Sequence, residues 1–159
     1  MKSIISILIL LSPFQLSAQI GSIDNKISKA DSVILISHKI TREFEVTPEG
    51  KSKSAPTFLL NKDVNPKIIL SRKLLIDKQE LIDLLHLGDG TYKHTSATCD
   101  EPRNSILIYF KGKLSYIDIC FQCQRIHTSD DLKTLVFFDQ RKYEKVEALF
   151  KSFNLIVNN

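Results

Sequence analysis

The sequence predicts an α+β fold: a mainly antiparallel sheet with helices packed on one face. Three features point to it. Two alternating apolar segments, 105–110 and 114–121, are joined by a short turn containing glycine. A capped helix pattern lies between strand patterns from Asp77 onward, and a second closes the chain after Asp139. Strands grouped in mid-chain, with one helix among them and one at the end, favour helices segregated to one side of the sheet.

At the N-terminus, Lys2 precedes a short apolar run at 4–11, then Pro13 and a polar stretch ending at Ala18. This pattern predicts a signal peptide over residues 1–18, and the run is too short to span a bilayer. Gln19 stands where a lipoprotein would carry cysteine, and the first cysteine is Cys99. The expected product, residues 19–159, is secreted or periplasmic and holds no membrane segment after cleavage. Removing 18 of 159 residues leaves 141, enough for one domain with a real core.

Residues 22–30 suit a short helical turn. From 33 to 46, β-branched residues alternate, and Ile34, Ile36, His38 and Ile40 share one side of a straight strand or a bent pair. Pro48, Gly50, Pro56 and Pro66 mark 47–66 as an exposed, flexible connection with a short strand at 57–60. A strand at 67–75 leads to Asp77, which can cap a helix with Glu80 completing a capping box; Leu81, Leu84 and Leu85 share a face. Gly88 suits a left-handed C-terminal cap, and a polar loop to Arg103 carries His94 and Cys99. After the hairpin, 135–138 reads as a strand. Asp139 then caps a helix whose Tyr143, Val146, Phe150 and Phe153 recur at helical spacing.

The formal net charge of +4 becomes +3 once Lys2 leaves with the signal peptide, too little to name a partner. The basic residues are scattered and form no stripe interleaved with aromatics, so no nucleic-acid partner is expected. Nucleophile-elbow, HExxH and phosphate-loop motifs are absent from the sequence. Gly88-Asp89-Gly90 reads as a polar turn, since a calcium loop needs repeated acidic ligands. Asp118 falls opposite Ile117 and Ile119, where a solvated side chain is expected. Arg103 is a candidate anion contact.

The three cysteines, Cys99, Cys120 and Cys123, allow three readings. In an exported protein the first is one disulfide, joining Cys99 to Cys120, Cys99 to Cys123, or Cys120 to Cys123. An extended strand through Cys123 would put the last two on opposite faces and forbid their bond, whereas a turn beginning at Cys120 would bring them together. Strand parity with Ile117, Ile119 and Phe121 favours burial of Cys123 and a bridge from Cys120. The second is a zinc or copper site of Cys120, Cys123 and His127 completed by Cys99, with His94 as an additional ligand, although a second CxxC pair is missing. The third is thiol-redox chemistry, disfavoured because Cys120 follows a strand and not a helix start.

The run Cys99-Asp100-Glu101-Pro102-Arg103, with Tyr109-Phe110 and Tyr116-Ile117-Asp118-Ile119-Cys120-Phe121-Gln122-Cys123, resembles a signature of small exported bacterial proteins without an established activity. The resemblance covers about residues 67–123 and implies that the cysteines and Pro102-Arg103 belong to one structural unit. A histidine often follows the arginine in that pattern; Asn104 stands here. The expected function is a binding or interaction module stabilised by one disulfide, needing no cofactor, with a protein or small ligand as partner and no enzymatic activity. The alternative is a metal-binding or thiol-redox module built on Cys99, Cys120 and Cys123.

Overall fold

The computed structural model describes residues 22–41, 45–46, 52–53, 57–87 and 101–157. The signal segment, Gly88, His94 and Cys99 lie outside these residues. Helix α1 (Ile23–Lys29) is followed by strand β1 (Ser32–His38). Two small pairs come next, β2 (Glu45–Val46) with β3 (Ser52–Lys53), and β4 (Leu59–Leu60) with β5 (Asp63–Val64). A 3-10 turn at Pro66–Ile68 enters β6 (Ile69–Leu74), followed by α2 (Lys78–Leu85), β7 (Asn104–Phe110), β8 (Lys113–Cys120) and β9 (Arg125–Thr128). A second 3-10 turn at Asp130–Leu132 precedes α3 (Gln140–Ser152). The main sheet has five strands in the order β6-β1-β7-β8-β9, every neighbouring pair antiparallel.

One face of this sheet carries the larger core. Val33, Leu35, Ile106, Ile108, Ile117 and Ile119 meet Ile27 of α1, Leu81 of α2, and Val146 and Phe150 of α3. The α+β class with helices on one face is therefore the observed one. The opposite face holds a smaller cluster, Ile36, Leu107, Val64 and Ile68, beneath the β4–β5 hairpin and the turn that follows it. Residues 57–66, expected as an open connection, are thus a flap on the sheet. Its shape is set by Asn65, whose amide donates from Nδ2 to the Thr57 carbonyl and whose backbone N–H donates to Phe58.

The β7–β8 hairpin closes through Lys111 and Gly112, both at positive φ (49° and 72°), which matches the twist of the flanking strands. A Cβ on Gly112 would meet nothing within 4 Å, so only backbone strain opposes substitution. Gly112→Ala should cost about 1 kcal/mol, read as a lower denaturation midpoint with an unchanged slope.

Asp77 caps α2 by accepting from the N–H groups of Gln79 and Glu80, and Asp139 caps α3 by accepting from Lys142. Three expectations need correction. Helix α2 ends at Leu85 with His86 as its cap in a right-handed conformation, ahead of Gly88. The run 135–138 is no strand: Leu135 and Val136 donate their N–H groups back to the Leu132 carbonyl, so the backbone is used locally while the side chains still reach the core. The strand pattern at 33–46 stops at His38, and Glu45–Val46 belongs to a separate two-stranded sheet.

Candidate functional site

The cysteine segment leaves β8 as a tight turn. After Cys120, residues 121–124 reverse the chain, with Gln124 at φ 49° and its N–H donating to Phe121. The turn brings Cys123 back so that its N–H donates to the Cys120 sulfur at 3.2 Å. Cys120 and Cys123 are both buried. The Cys120 thiol is free, contrary to the expectation that it forms the bridge. Cys123 is buried as strand parity expects, but it reaches the interior by the turn that begins at Cys120, the second arrangement the sequence allows.

His127 stands exposed on β9, its Cα opposite that of Asp118. Among the described residues, no three His, Cys, Asp or Glu side chains gather as metal ligands. The Arg103 guanidinium contacts Glu101 at 3.3 Å, and the crevice between it and Cys120 has a volume of about 10 Å³, room for one water at most. Arg103, Cys120 and the neighbouring Gln122 thus share one small crevice, while His127 lies outside its lining.

A second centre escaped sequence reasoning. His38 and Ser105 are fully buried and Asp118 nearly so, on the sheet face under the flap. Asp118 Oδ1 accepts from the Ser105 hydroxyl at 2.9 Å and faces His38 Nε2 at 2.9 Å. His38 Nδ1 lies 2.8 Å from the Lys39 carbonyl. Both imidazole nitrogens therefore meet oxygens, one of the backbone and one of a carboxyl group. Phe58 of the flap covers the group, its ring 5.4 Å from His38 and 4.9 Å from Tyr116. Burial, and then the Asp118 charge, raise the Tyr116 hydroxyl above its ordinary pKa.

Serine, aspartate and histidine occur together here, but in the wrong order for nucleophilic catalysis. The serine hydroxyl donates to the carboxylate, and the imidazole sits on the far side of that carboxylate. With all three sealed from solvent, the arrangement ties β1, β7 and β8 together under the flap. The solvated Asp118 expected from its strand parity is thus replaced by a buried one held through Oδ1, because the flap covers what would otherwise be an open sheet face.

A third region is concave and open. Between α1 and the β7–β8 hairpin lies a cleft of about 360 Å³ lined by Asn25, Lys26, Lys29, Ile108, Phe110, Lys113, Ser115 and Asp131. Its size falls in the range of small-ligand sites. Cross-strand register arranges it in two rungs, Ile108 opposite Ser115 and Phe110 opposite Lys113. The inner rung is locked: Asp131 accepts from Lys26 at 2.7 Å, Ser115 at 2.7 Å and Ser129 at 2.6 Å. Helix α1 is held over the hairpin tip by Asp31, which accepts from the Lys111 N–H at 2.6 Å. Lys29, one turn beyond Lys26 on α1, lines the cleft together with Lys113. Neither Lys29 nor Lys113 has an ion-pair or hydrogen-bond partner among the described residues.

Partial burial pushes the Asp131 carboxyl up, but the hydrogen bonds from Lys26, Ser129 and Ser115 outweigh it and bring the group down to about 2. A carboxyl lowered in the folded state stabilises the fold above its unfolded value of 3.8, and that contribution fades as pH falls through about 2. The gap in melting temperature between wild type and Asp131→Asn should thus be constant above about pH 4 and close toward pH 2. It should also be small, since the side chain is 43% exposed.

No family model, curated protein or solved structure matches this chain. The resemblance to small exported proteins therefore rests on the quoted residues alone. No helix among the described residues is long and apolar enough to cross a membrane.

Proposed function

We propose that this chain is an exported binding module, with a disulfide between Cys99 and Cys123 as its staple and the cleft beneath α1 as its ligand site. The observation that carries the reading is the cleft itself: an apolar floor of Ile108 and Phe110, a locked inner end, and unpaired polar groups at its outer end. Ligand sites combine these features, a concave apolar surface with a few placed polar groups. The staple follows from cysteine inventory. Cys120 is free, so a bridge from Cys123 within the chain would run to Cys99. Such a bond ties the 88–103 loop to the β8–β9 turn, on the side of the sheet that bears the cysteines.

The role of the buried His38–Asp118–Ser105 group in this reading is to hold the sheet rigid behind the hairpin. The cleft is formed by α1, the β7–β8 hairpin and Asp131 of the second 3-10 turn, and its shape depends on their relative position. Ligand-observed NMR with a small fragment library tests the reading. Binding fragments should compete with one another and lose their signal changes in Ser115→Trp, whose indole would fill the cleft, with the fold checked by circular dichroism. Fragments that still bind Ser115→Trp, or a library without a binder, would overturn it.

A further inference from the structure

We propose that the cleft takes a small anionic amphiphile: a single negative head group, carboxylate in character, on an apolar body. This deepens the reading of the cleft as the ligand site and rests on it.

The charge pattern selects the sign of the ligand. Lys26 and Asp131 neutralise each other at the inner rung, where Ser115 and Ser129 complete the coordination of the carboxylate. Among the described residues, the charged groups of the lining that remain unpaired are both positive, Lys29 from the helix and Lys113 from the strand, and both are exposed. A cation would find no free acceptor carboxylate in the cleft, because Asp131 already accepts from a lysine and two hydroxyls. An anion at the outer end meets ammonium groups from two sides.

The floor selects the body. Ile108 is buried, while Phe110 is 41% exposed and faces Lys113 across the hairpin. An aliphatic chain or flat ring laid along these two residues would cover Phe110 and remove its apolar surface from water. The two requirements lie in register: the head group at the Phe110–Lys113 rung, the body running inward toward Ile108 and Ser115. Because the ordering of Asp131 fixes the inner wall, the ligand is limited in length, which favours a medium-length chain over a long one.

Three probes separate the parts of the claim: octanoate, 1-octanol and acetate, each titrated into the full exported chain and followed by amide chemical shifts. Octanoate should shift residues of the cleft and bind at least tenfold more tightly than octanol, while acetate should leave the shifts unchanged at the same concentration. Lys29→Glu with Lys113→Glu should reduce octanoate affinity at least tenfold and leave octanol affinity within twofold. Both positions are exposed, so the fold is expected to persist. Equal binding of octanoate and octanol in the cleft would overturn the anionic class while keeping the ligand site. Failure of both to shift cleft residues would overturn the site as well, and octanoate binding unaffected by the double charge reversal would place the anion elsewhere.

Discussion

Replacing Asp118 by alanine should destabilise the protein by about 3 to 5 kcal/mol, the largest single-residue effect expected in the molecule. The carboxylate accepts from Ser105 and pairs with His38, and both of these partners are fully buried. Removal leaves a buried imidazole nitrogen and a buried hydroxyl without their acceptor. The combined variant His38→Leu, Ser105→Ala, Asp118→Leu removes every group of the network at once and should recover most of the loss, because a buried pair stabilises little relative to apolar residues that pack well. Urea denaturation of the two variants gives both numbers. An Asp118→Ala loss under about 1 kcal/mol would mean that the group is hydrated in solution.

Loss of the proposed staple should cost about 3 kcal/mol, the value the chain-entropy model gives to a closed loop of this length. Cys99→Ser and Cys123→Ser should lower stability alike, and combining them should add little, since either one opens the same bond. Cys120→Ala should cost only about 1 kcal/mol, as removal of a small buried group. Reduction of wild type should reproduce the loss seen in the serine variants and leave Cys120→Ala still able to lose it. If Cys120→Ala abolishes the effect of reductant, the bridge runs through Cys120.

Much of the fold was legible because its signals are local. The hairpin from Asn104 to Cys120 shows alternation on both strands and a turn that demands positive φ at Gly112, and α3 shows its cap at Asp139 and its apolar stripe within a single segment. The misreadings have a common cause in tertiary context. Leu135 and Val136 are apolar because they pack against the core, but their N–H groups turn back to Leu132, so an apolar run alone could not distinguish a strand from an irregular buried segment. Strand parity put Asp118 on the correct face. It could not reveal that residues 57–68 cover that face, nor that His38, eighty positions away, would meet the carboxylate.

The candidate sites were legible in part for the same reason. The cysteines and Arg103 stand out in sequence, and the structure does place Arg103, Cys120 and Gln122 around one crevice. The cleft has no motif at all. Its inner wall depends on Lys26 and Asp131, which are 105 positions apart, and its floor uses residues that read as ordinary hairpin strand. Only pairing the hairpin with α1 turns two unremarkable lysines into the unpaired charges of a concave surface.

In this protein the cysteines are proposed to be a scaffold, and function to reside in binding. Native intact mass of the exported protein, with thiol alkylation before and after reduction, tests it most directly. The expected result is no metal, one thiol that reacts only on unfolding, and two more that appear on reduction. A bound metal, or three thiols blocked until a chelator is added, would contradict it and make the cysteine cluster the active centre.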